Sequence, residues 1–483
     1  MLCLLPMALK RMDMKIIRAN RRRGKKNRSL VLVILGSSLL LSCDFLSVEM
    51  PANKVTKSQV FSSDKSANSA AIEMYLDLYG GGSFAAGLSD GVVSLAGLSA
   101  DELMVGLQSN VVANQFQNNQ LLADNTYILN AWTSMYHGVF QSNSILEGIA
   151  ASSAITKDKR DQLRGEALFI RGFCYFYLVN FFGEVPLILT TDYQANAAFR
   201  RNTVEQIYDQ IKNDLTEAES LLKDNYIEVQ RIRPNKYAAQ ALLARVYLFT
   251  NDFARAEDKA SSVLNSTQYV LVDPKNVFLA NSKETIWQIK PPDGATYTNE
   301  GLTFGSNQGP KNNVLRKSLM KMFEPNDQRK IDWTTSVIIS QDTIFLPFKY
   351  KKQDFETPTT EYSMVLRLSE QYLIRAEARA RQGKIAAAIS DIDQVRFRAN
   401  IALLKDRESD ITQNDLIAAI LAERKVELFV EWGHRWLDLK RSGLASTALS
   451  PIKSGWSDND LLYPIPEKEL LNNPNLRPQN NGY

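Results

Sequence analysis

Apolar residues recur at three- and four-residue spacing through most of this 483-residue chain, the period of amphipathic helices. Ser66–Tyr79 reads as a helix ended by Gly80-Gly81-Gly82. The next forty residues have little period and are rich in Gly, Ser, Asn and Gln, which predicts loops around a short helical turn at Asp101-Glu102. Ile128–Ala150 returns to helix, with Trp132, Met135, Tyr136, Val139 and Phe140 on one apolar stripe. Asp158–Phe182 is apolar and aromatic nearly all round its centre, ALFIRGFCYFYLVNFF, so it is a helix buried on several sides. Gly183 stops it. Arg164, Glu166 and Arg171 on this helix read as charges that pair within a helical core. Thr203 with Gln206 three residues on forms a capping box. The face that follows is Val204, Ile207, Tyr208, Ile211, Leu215, Ala218, Leu221 and Leu222.

Two stretches then repeat a theme. Tyr237–Phe249 and Phe253–Leu264 predict a helical hairpin around Asn251-Asp252, with Ala244 and Ala256 where two helices cross closely. Tyr372–Phe397 carries the same design, with Ala376 and Ala388 again twelve residues apart. Both resemble tetratricopeptide units, interrupted rather than in regular array. The stretch between them, Val272–Leu366, is different: prolines, glycines and short β-like runs at Thr285–Lys290, Val337–Ile339 and Thr343–Lys349. Long non-helical insertions on a rigid scaffold are where binding residues concentrate. Thr412 and Asp415 cap a further helix, which Gly433 interrupts. Its Glu423, Glu427 and Glu431 recur every four residues, and Arg435 follows Glu431 at the spacing of a helix ion pair. A Pro-pinned, extended tail closes the chain. The fold class expected is mainly all-α, with helical hairpins as scaffold and a loop- and strand-containing insertion that carries the ligand site.

Charge changes the picture only at the N-terminus. The formal net charge is +4, but residues 1–42 hold ten Lys/Arg and one acid, leaving the remainder with 47 basic against 52 acidic residues. That near −5 balance removes the case for nucleic acid or anionic lipid binding. The basic lead-in precedes Ser29–Cys43, SLVLVILGSSLLLSC. Leu30–Leu41 is about 18 Å long as a helix, against roughly 30 Å of hydrocarbon, too short to span a bilayer. It reads as an export signal, and its Leu-x-Ser-Cys end resembles the lipobox of bacterial lipoproteins, in which Cys43 is acylated. Met14 reads as a better start than Met1. With Cys3 and Cys43 assigned to the signal and the lipid site, Cys174 is the single remaining thiol, so no intrachain disulfide is expected. His137 and His434 are too few and too far apart for a metal cluster. No metal or cofactor is expected.

Five stretches in this order resemble the SusD/RagB family of outer-membrane nutrient-binding lipoproteins. They are EALFIRGFCYFYLVNFFGEVPLIL, RPNKYAAQALLARVYLFTNDFARAE, VLRLSEQYLIRAEARARQGK, LAERKVELFVEWGHRWLDLKRSG and LYPIPEKELLNNPNLRPQNNGY. The resemblance implies a helical fold on tetratricopeptide-like hairpins. It implies a protein that captures a ligand as the lid of a SusC-like, TonB-dependent transporter, most often for oligosaccharides and sometimes for peptides. It also implies display on the outer membrane, although Asp44 directly after the lipidated Cys is, in some bacteria, a retention residue for the inner membrane. The division expected is a signal over 1–42, a lipidated tether over 43–60, an N-terminal helical region over 61–271, the insertion over 272–366 and a C-terminal helical region with tail over 367–483.

The expected activity is capture without catalysis. A sugar ring has an apolar C–H face and a rim of hydroxyls, matched by flat aromatics beside Asn, Asp and Arg side chains. The aromatics of the long helices belong to the core, so candidates come from loops. One group is Trp287, Tyr297, Phe304, Asn307 and Asn312; a second is Asn114, Gln117, Asn118 and Tyr127. Trp287, beside Ile286 and Ile289, reads equally well as packing within the insertion. Arg424, Glu427, Trp432, Arg435 and Asp438 read as a structural network, and His137 and His434 as packed imidazoles. A peptide-binding scaffold and, further off, a surface glycoside hydrolase are the alternatives; the latter needs two carboxylates at a defined separation.

Overall fold

The computed structural model describes residues 56–106, 110–305, 313–352, 357–406 and 410–483. The signal, Cys43 and the tether as far as residue 55 lie outside them; Lys57–Val60, at the tether's end, is a short helix capped by Thr56. Helix α1 (Asp64–Tyr79) starts on the Ser63 cap. It is followed by α2 (Val92–Ser99), β1 (Leu103–Val105) and α3 (Val111–Asn118). The expectation of loops here is therefore corrected. VVSLAGLS has no period because every residue of α2 is buried, and its Gly97 lies so close to Leu103 that a Cβ would sit 2.7 Å from Leu103 Cδ1. Asn110 caps α3, and Asn119 ends it at φ 54, a left-handed position Asn tolerates.

The long helices lie where the pattern places them. They are α4 (Thr126–Ala151), α5 (Lys157–Phe182) and α6 (Val204–Leu221), then the hairpin α7 (Lys236–Phe249) and α8 (Phe253–Leu264). The Thr203–Gln206 capping box forms. Each of these helices packs on the next, α4 through α8. The charges of α5 are paired: Arg171 with Asp214 at 2.6 Å, Glu166 with Arg233 at 2.7 Å, and Arg164 with Glu217 at 2.5 Å. Burial pushes the Cys174 thiol well up, so it stays protonated inside the helix core.

After α8 the chain leaves the helical stack. Strand β2 (Thr285–Ile289), β3 (Asn313–Leu315), β4 (Thr334–Ile339), β5 (Asp342–Pro347) and β6 (Ser363–Arg367) follow. The chain then re-enters the stack as α9 (Leu368–Arg381) and α10 (Ile385–Arg398), a hairpin turned at Gly383 with φ 76. Helix α9 packs directly on α8. The two tetratricopeptide-like hairpins are thus neighbours in space, and Ala244, Ala256, Ala376 and Ala388 are all fully buried. Antiparallel pairing of β2 with β6, Gln288 opposite Met364 and Ile289 opposite Ser363, ties the two ends of the insertion together. The other strands form one sheet in the order β1-β3-β5-β4. Among the described residues no helix is long and apolar enough to cross a membrane.

Helix α11 (Gln413–Glu427) and α12 (His434–Arg441) complete the scaffold. The pair expected between Glu431 and Arg435 does not form. Helix α11 ends at Glu427, and Val430, Trp432 and Gly433 take φ values of 53, 45 and 73, so the two residues leave the common face. Glu431 instead binds Arg367 at 2.8 Å, and Arg435 binds Asp101 at 2.8 Å. Arg367, 2 % exposed, also meets Glu284 at 2.9 Å and Glu427 at 2.6 Å. Arg329 joins Glu427 at 3.0 Å to Glu423 at 2.5 Å and Asp327 at 2.8 Å. Arg424 pairs with Asp438 at 2.7 Å. Trp432 donates from Nε1 to the Met364 carbonyl at 2.6 Å. These side chains are a structural network, as expected. Burial, with Arg245, Arg424 and Arg367 around it, holds His434 well below the ordinary histidine value and so neutral.

Removing one member of a buried ion cluster leaves its partners uncompensated. Arg367→Ala is expected to lower unfolding free energy by about 3–5 kcal/mol, read from urea midpoints. Lys57→Ala breaks only the surface pair with Glu147 and is expected to cost under about 1 kcal/mol. Equal losses for the two would contradict the assignment of Arg367 as the central cation.

Candidate ligand-binding site

The sheet brings together two segments far apart in sequence. In the β1–β3 pair, Val105 stands opposite Asn313, Met104 opposite Val314 and Leu103 opposite Leu315. The Val105 amide donates to Gln117 Oε1 at 2.6 Å, and Asn110 Nδ2 donates to the Tyr127 hydroxyl at 3.2 Å. Gln117 and Tyr127 are therefore held against β1 and the cap of α3, with Asn114 half-buried and Asn118 exposed on α3 itself. A cleft of about 580 Å³ lies along this sheet, lined by Met104, Gly106, Arg316, Lys317, Asp342 and Phe345 among others. Arg316 Nε donates to the Leu103 carbonyl at 3.1 Å, and Lys317 pairs with Asp342. The sequence reading missed these residues. The β-like run at Thr343–Lys349 was visible, but nothing local in it says that β5 lies beside β3 and, through it, near β1.

The first group of candidates divides. Trp287 is fully buried, its ring edge-on to Phe169 and Phe173 at centroid distances of 4.9 and 5.2 Å, with Nε1 donating to the Ile232 carbonyl at 3.2 Å. It packs β2 onto α5 and offers no face to a ligand, which corrects its assignment as a sugar platform. Phe304 is likewise corrected: it is buried at the end of the short helix Asn299–Phe304. Asn307 and Asn312 lie outside the described residues. Tyr297 is half-buried at the surface, and its carbonyl receives the Tyr79 hydroxyl at 3.5 Å.

Tyr79 leads to a second cleft. Gly80, Gly81, Gly82 and Ser83 face α4 across about 310 Å³, with Asp77, Asn130, Thr133, His137 and Gln141 on its walls. A Cβ on Gly81 would meet nothing within 4 Å, so the backbone there is open to whatever enters. His137 is not packed as expected; its side chain is 54 % exposed, and Nε2 lies 3.0 Å from Asp77 Oδ2. Asn130 Nδ2 donates to Asp90 at 3.2 Å. Tyr127, Asn130, Ser134, His137 and Gln141 succeed one another at three- and four-residue spacing, one face of α4. That polar stripe, opposite the apolar one, was the signal in the sequence that would have found this wall.

Two carboxyls sit buried behind these surfaces. Burial holds Glu300 up at about 7, partly offset by the Ser363 hydroxyl that donates to it; a Cβ on Gly87 would lie 2.4 Å from its carboxyl carbon. Burial and the neighbouring Asp101 hold Glu102 up at about 8. Neither lines either cleft. Among the described residues no group of three His, Cys, Asp or Glu side chains gathers as a metal site.

Stacked helical hairpins, an insertion clamped at its base and clefts of mixed polar and apolar lining define a helical-repeat binding scaffold. Residues 92–248 match the family described as starch-binding and associating with the outer membrane, and residues 282–483 match the SusD family. The chain belongs to the SusD/RagB family. It is 26 % identical over 448 residues to the SusD-like protein P2 of Formosa agariphila, an alignment covering 80 % of this chain and 87 % of that one. It is 24 % identical over 417 residues to the starch-binding protein SusD of Bacteroides thetaiotaomicron, covering 66 % and 72 %. A SusD superfamily structure from Bacteroides vulgatus superposes with TM-score 0.77 at 22 % identity, covering 88 % of this chain and 100 % of that one. A laminarin-binding SusD-like protein superposes with TM-score 0.75 at 23 % identity, covering 87 % and 100 %. At those identities the two structures share the fold.

Glu300 gives the fold a pH signature. Its folded-state pKa, about 7, lies above the ordinary carboxylate value, so the folded state holds the proton more tightly than the unfolded chain. The stabilisation is complete below about pH 4.5 and is lost as pH rises through 7. Wild type is expected to lose on the order of 3 kcal/mol between pH 4.5 and 8 relative to Glu300→Gln, measured by urea unfolding across pH. Parallel curves for the two proteins would show that Glu300 is not protonated in the fold.

Proposed function

We propose that the protein is a surface-exposed, lipid-anchored binding protein that captures oligosaccharides and delivers them to a SusC-like, TonB-dependent outer-membrane transporter. The observation that carries this reading is the β1–β3 pairing, which sets the polar segment around α3 against the insertion and leaves a cleft along the sheet. Tyr297, Asn114, Gln117, Asn118 and Tyr127 are its proposed ligand residues, with Asn307 and Asn312 of the same insertion. Asn130, His137 and Gln141 extend the surface along α4. Flat aromatics and amide or imidazole side chains suit a neutral sugar better than a strongly charged polymer. Among the relatives, one is a starch-binding protein and a structural neighbour binds laminarin, which supports a glucan-like ligand class. The proposal is capture without turnover: the buried carboxyls of Glu300 and Glu102, both with raised pKa values, line neither of these clefts. Nucleic acid is not a proposed partner.

A peptide-binding scaffold is the second reading, favoured by the cleft of about 730 Å³ between the α9–α10 hairpin and residues 269–275. Phe397 and Val270 at its edge are 75 % and 57 % exposed, the kind of apolar surface a peptide covers. Calorimetry with neutral oligosaccharides and with peptides separates the two. Tyr297→Ala combined with His137→Ala is expected to weaken oligosaccharide binding at least tenfold, about 1.4 kcal/mol; unchanged affinity would remove this site from the proposal.

Cys43 is proposed as the lipid-bearing residue. A single acyl chain anchors only marginally, so stable residence draws on further acyl chains or on the partner's grip. Cys43→Ala is expected to give a soluble protein that still binds ligand and supports uptake poorly. Normal uptake by cells carrying this variant would reduce Cys43 to an address.

A further inference from the structure

On another face of α4, Trp132, Tyr136 and Phe140 follow one another every four residues and line a separate cleft of about 350 Å³. Its opposite wall comes from the end of the chain, Glu469 and Asn472, and from Asn196. We infer that this cleft is a second subsite for a neutral sugar ring, distinct from the surface around Tyr297, an inference that rests on the glycan-binding reading above.

Four observations carry it. Phe140 is 47 % exposed, a large apolar ring face at the mouth of a cleft, while Trp132 and Tyr136 behind it pack with tilted rings at a centroid distance of 5.0 Å and fix the aromatic row. Tyr136 is itself anchored, its hydroxyl donating to the Pro186 carbonyl at 2.8 Å. Asn196 donates from Nδ2 to the Thr190 carbonyl at 2.9 Å, yet its buried Oδ1 accepts nothing. An unsatisfied buried acceptor calls for a donor such as a hydroxyl or a bridging water. Finally, among the described residues no cation lines the cleft. The nearby Arg201 is spent on the carbonyls of Glu184 and Pro478, at 2.8 and 2.7 Å, and on Asn480 Oδ1 at 2.5 Å. Among the described residues Glu469 is the one acid on the wall, and burial raises its pKa above the ordinary carboxylate value. An anionic ligand, such as a sulfated or uronic sugar, would meet a carboxyl and no positive charge. A neutral pyranose meets an aromatic face and amides, and the volume suits one to two rings.

The test uses the purified full-length protein with methyl β-D-glucopyranoside, maltoheptaose and laminarihexaose, followed by saturation-transfer NMR and calorimetry. Phe140→Leu keeps the apolar volume and removes the flat ring, while Phe140→Tyr keeps the ring. Two binding sites are expected, one weakened at least tenfold by Phe140→Leu and retained in Phe140→Tyr, and unaffected by Tyr297→Ala. Identical binding by wild type and Phe140→Leu overturns the second subsite and leaves the Tyr297 surface standing. A single site that Phe140→Leu abolishes and Tyr297→Ala spares supports the subsite and overturns the assignment of Tyr297. Binding of none of the three probes overturns both.

Discussion

The structure turns on one buried cation. Arg367 is the last residue of β6 and the cap position of α9, the point at which the insertion ends and the helical stack resumes. Its guanidinium meets Glu284 just before the insertion's first strand, Glu427 at the end of α11 and Glu431 in the turn that follows it. One side chain therefore holds three segments at a single place. A bare hydrophobic contact would bury as much area but would tolerate small shifts of register. A guanidinium with its fork of donors in fixed geometry does not, and the low-dielectric surroundings raise the cost of leaving any partner behind.

That clamp explains how a scaffold of repeats carries so long an interruption. The two hairpins with alanines at their crossings are 132 residues apart in sequence, counted from Ala244 to Ala376, yet α8 packs on α9. The β2–β6 pair, buried throughout, closes the insertion at its base. Beyond that base the insertion is tied to the stack again where Arg329 reaches Glu423 and Glu427 and where Lys349 reaches Glu431, so the freedom to change sequence or length belongs to the segments between those buried contacts. Binding loops on rigid supports follow the same division.

How much of this was legible in the sequence follows from range. The long helices, the capping box at Thr203, both alanine hairpins and three of the β-like runs are set by spacing within a dozen residues or so, and the pattern displays them. Helix α2 was hidden because burial on every side erases period. The Glu431–Arg435 pair was misread because the spacing rule holds only while a helix continues, and positive φ at Val430 and Trp432 ends it. The candidate site was the least legible part. Tyr297 and the α3 group were within reach as polar or aromatic residues in irregular sequence. Trp287, drawn from the same stretch, proved to be core, because β2 is a central buried strand. Residues brought in by pairing across the sheet, Arg316, Lys317, Asp342 and Phe345, gave no local sign at all.

Helix α4 shows why a single element can serve two surfaces. Its 26 residues make more than seven turns, and three stripes run along it. One is buried against α5. A second, Tyr127 through Gln141, is polar, and from Asn130 onward it faces the glycine segment after α1. The third, Trp132, Tyr136 and Phe140, is aromatic and faces the end of the chain. Thr133 touches both clefts, so they are separated by little more than the width of one helix, about 10 Å. The rise over the polar stripe, about 1.5 Å per residue, is roughly 21 Å from Tyr127 to Gln141. A chain of several sugar rings spans that length, whereas a single ring spans neither the stripe nor the helix. Under the proposed function, capture would therefore depend on ligand length. Short fragments would sample the clefts one at a time, and only an oligomer long enough to follow α4 would gain the effective concentration that comes from engaging two surfaces together. Such a length threshold would arise from the geometry of the scaffold, with no contact specific to the linkage between rings.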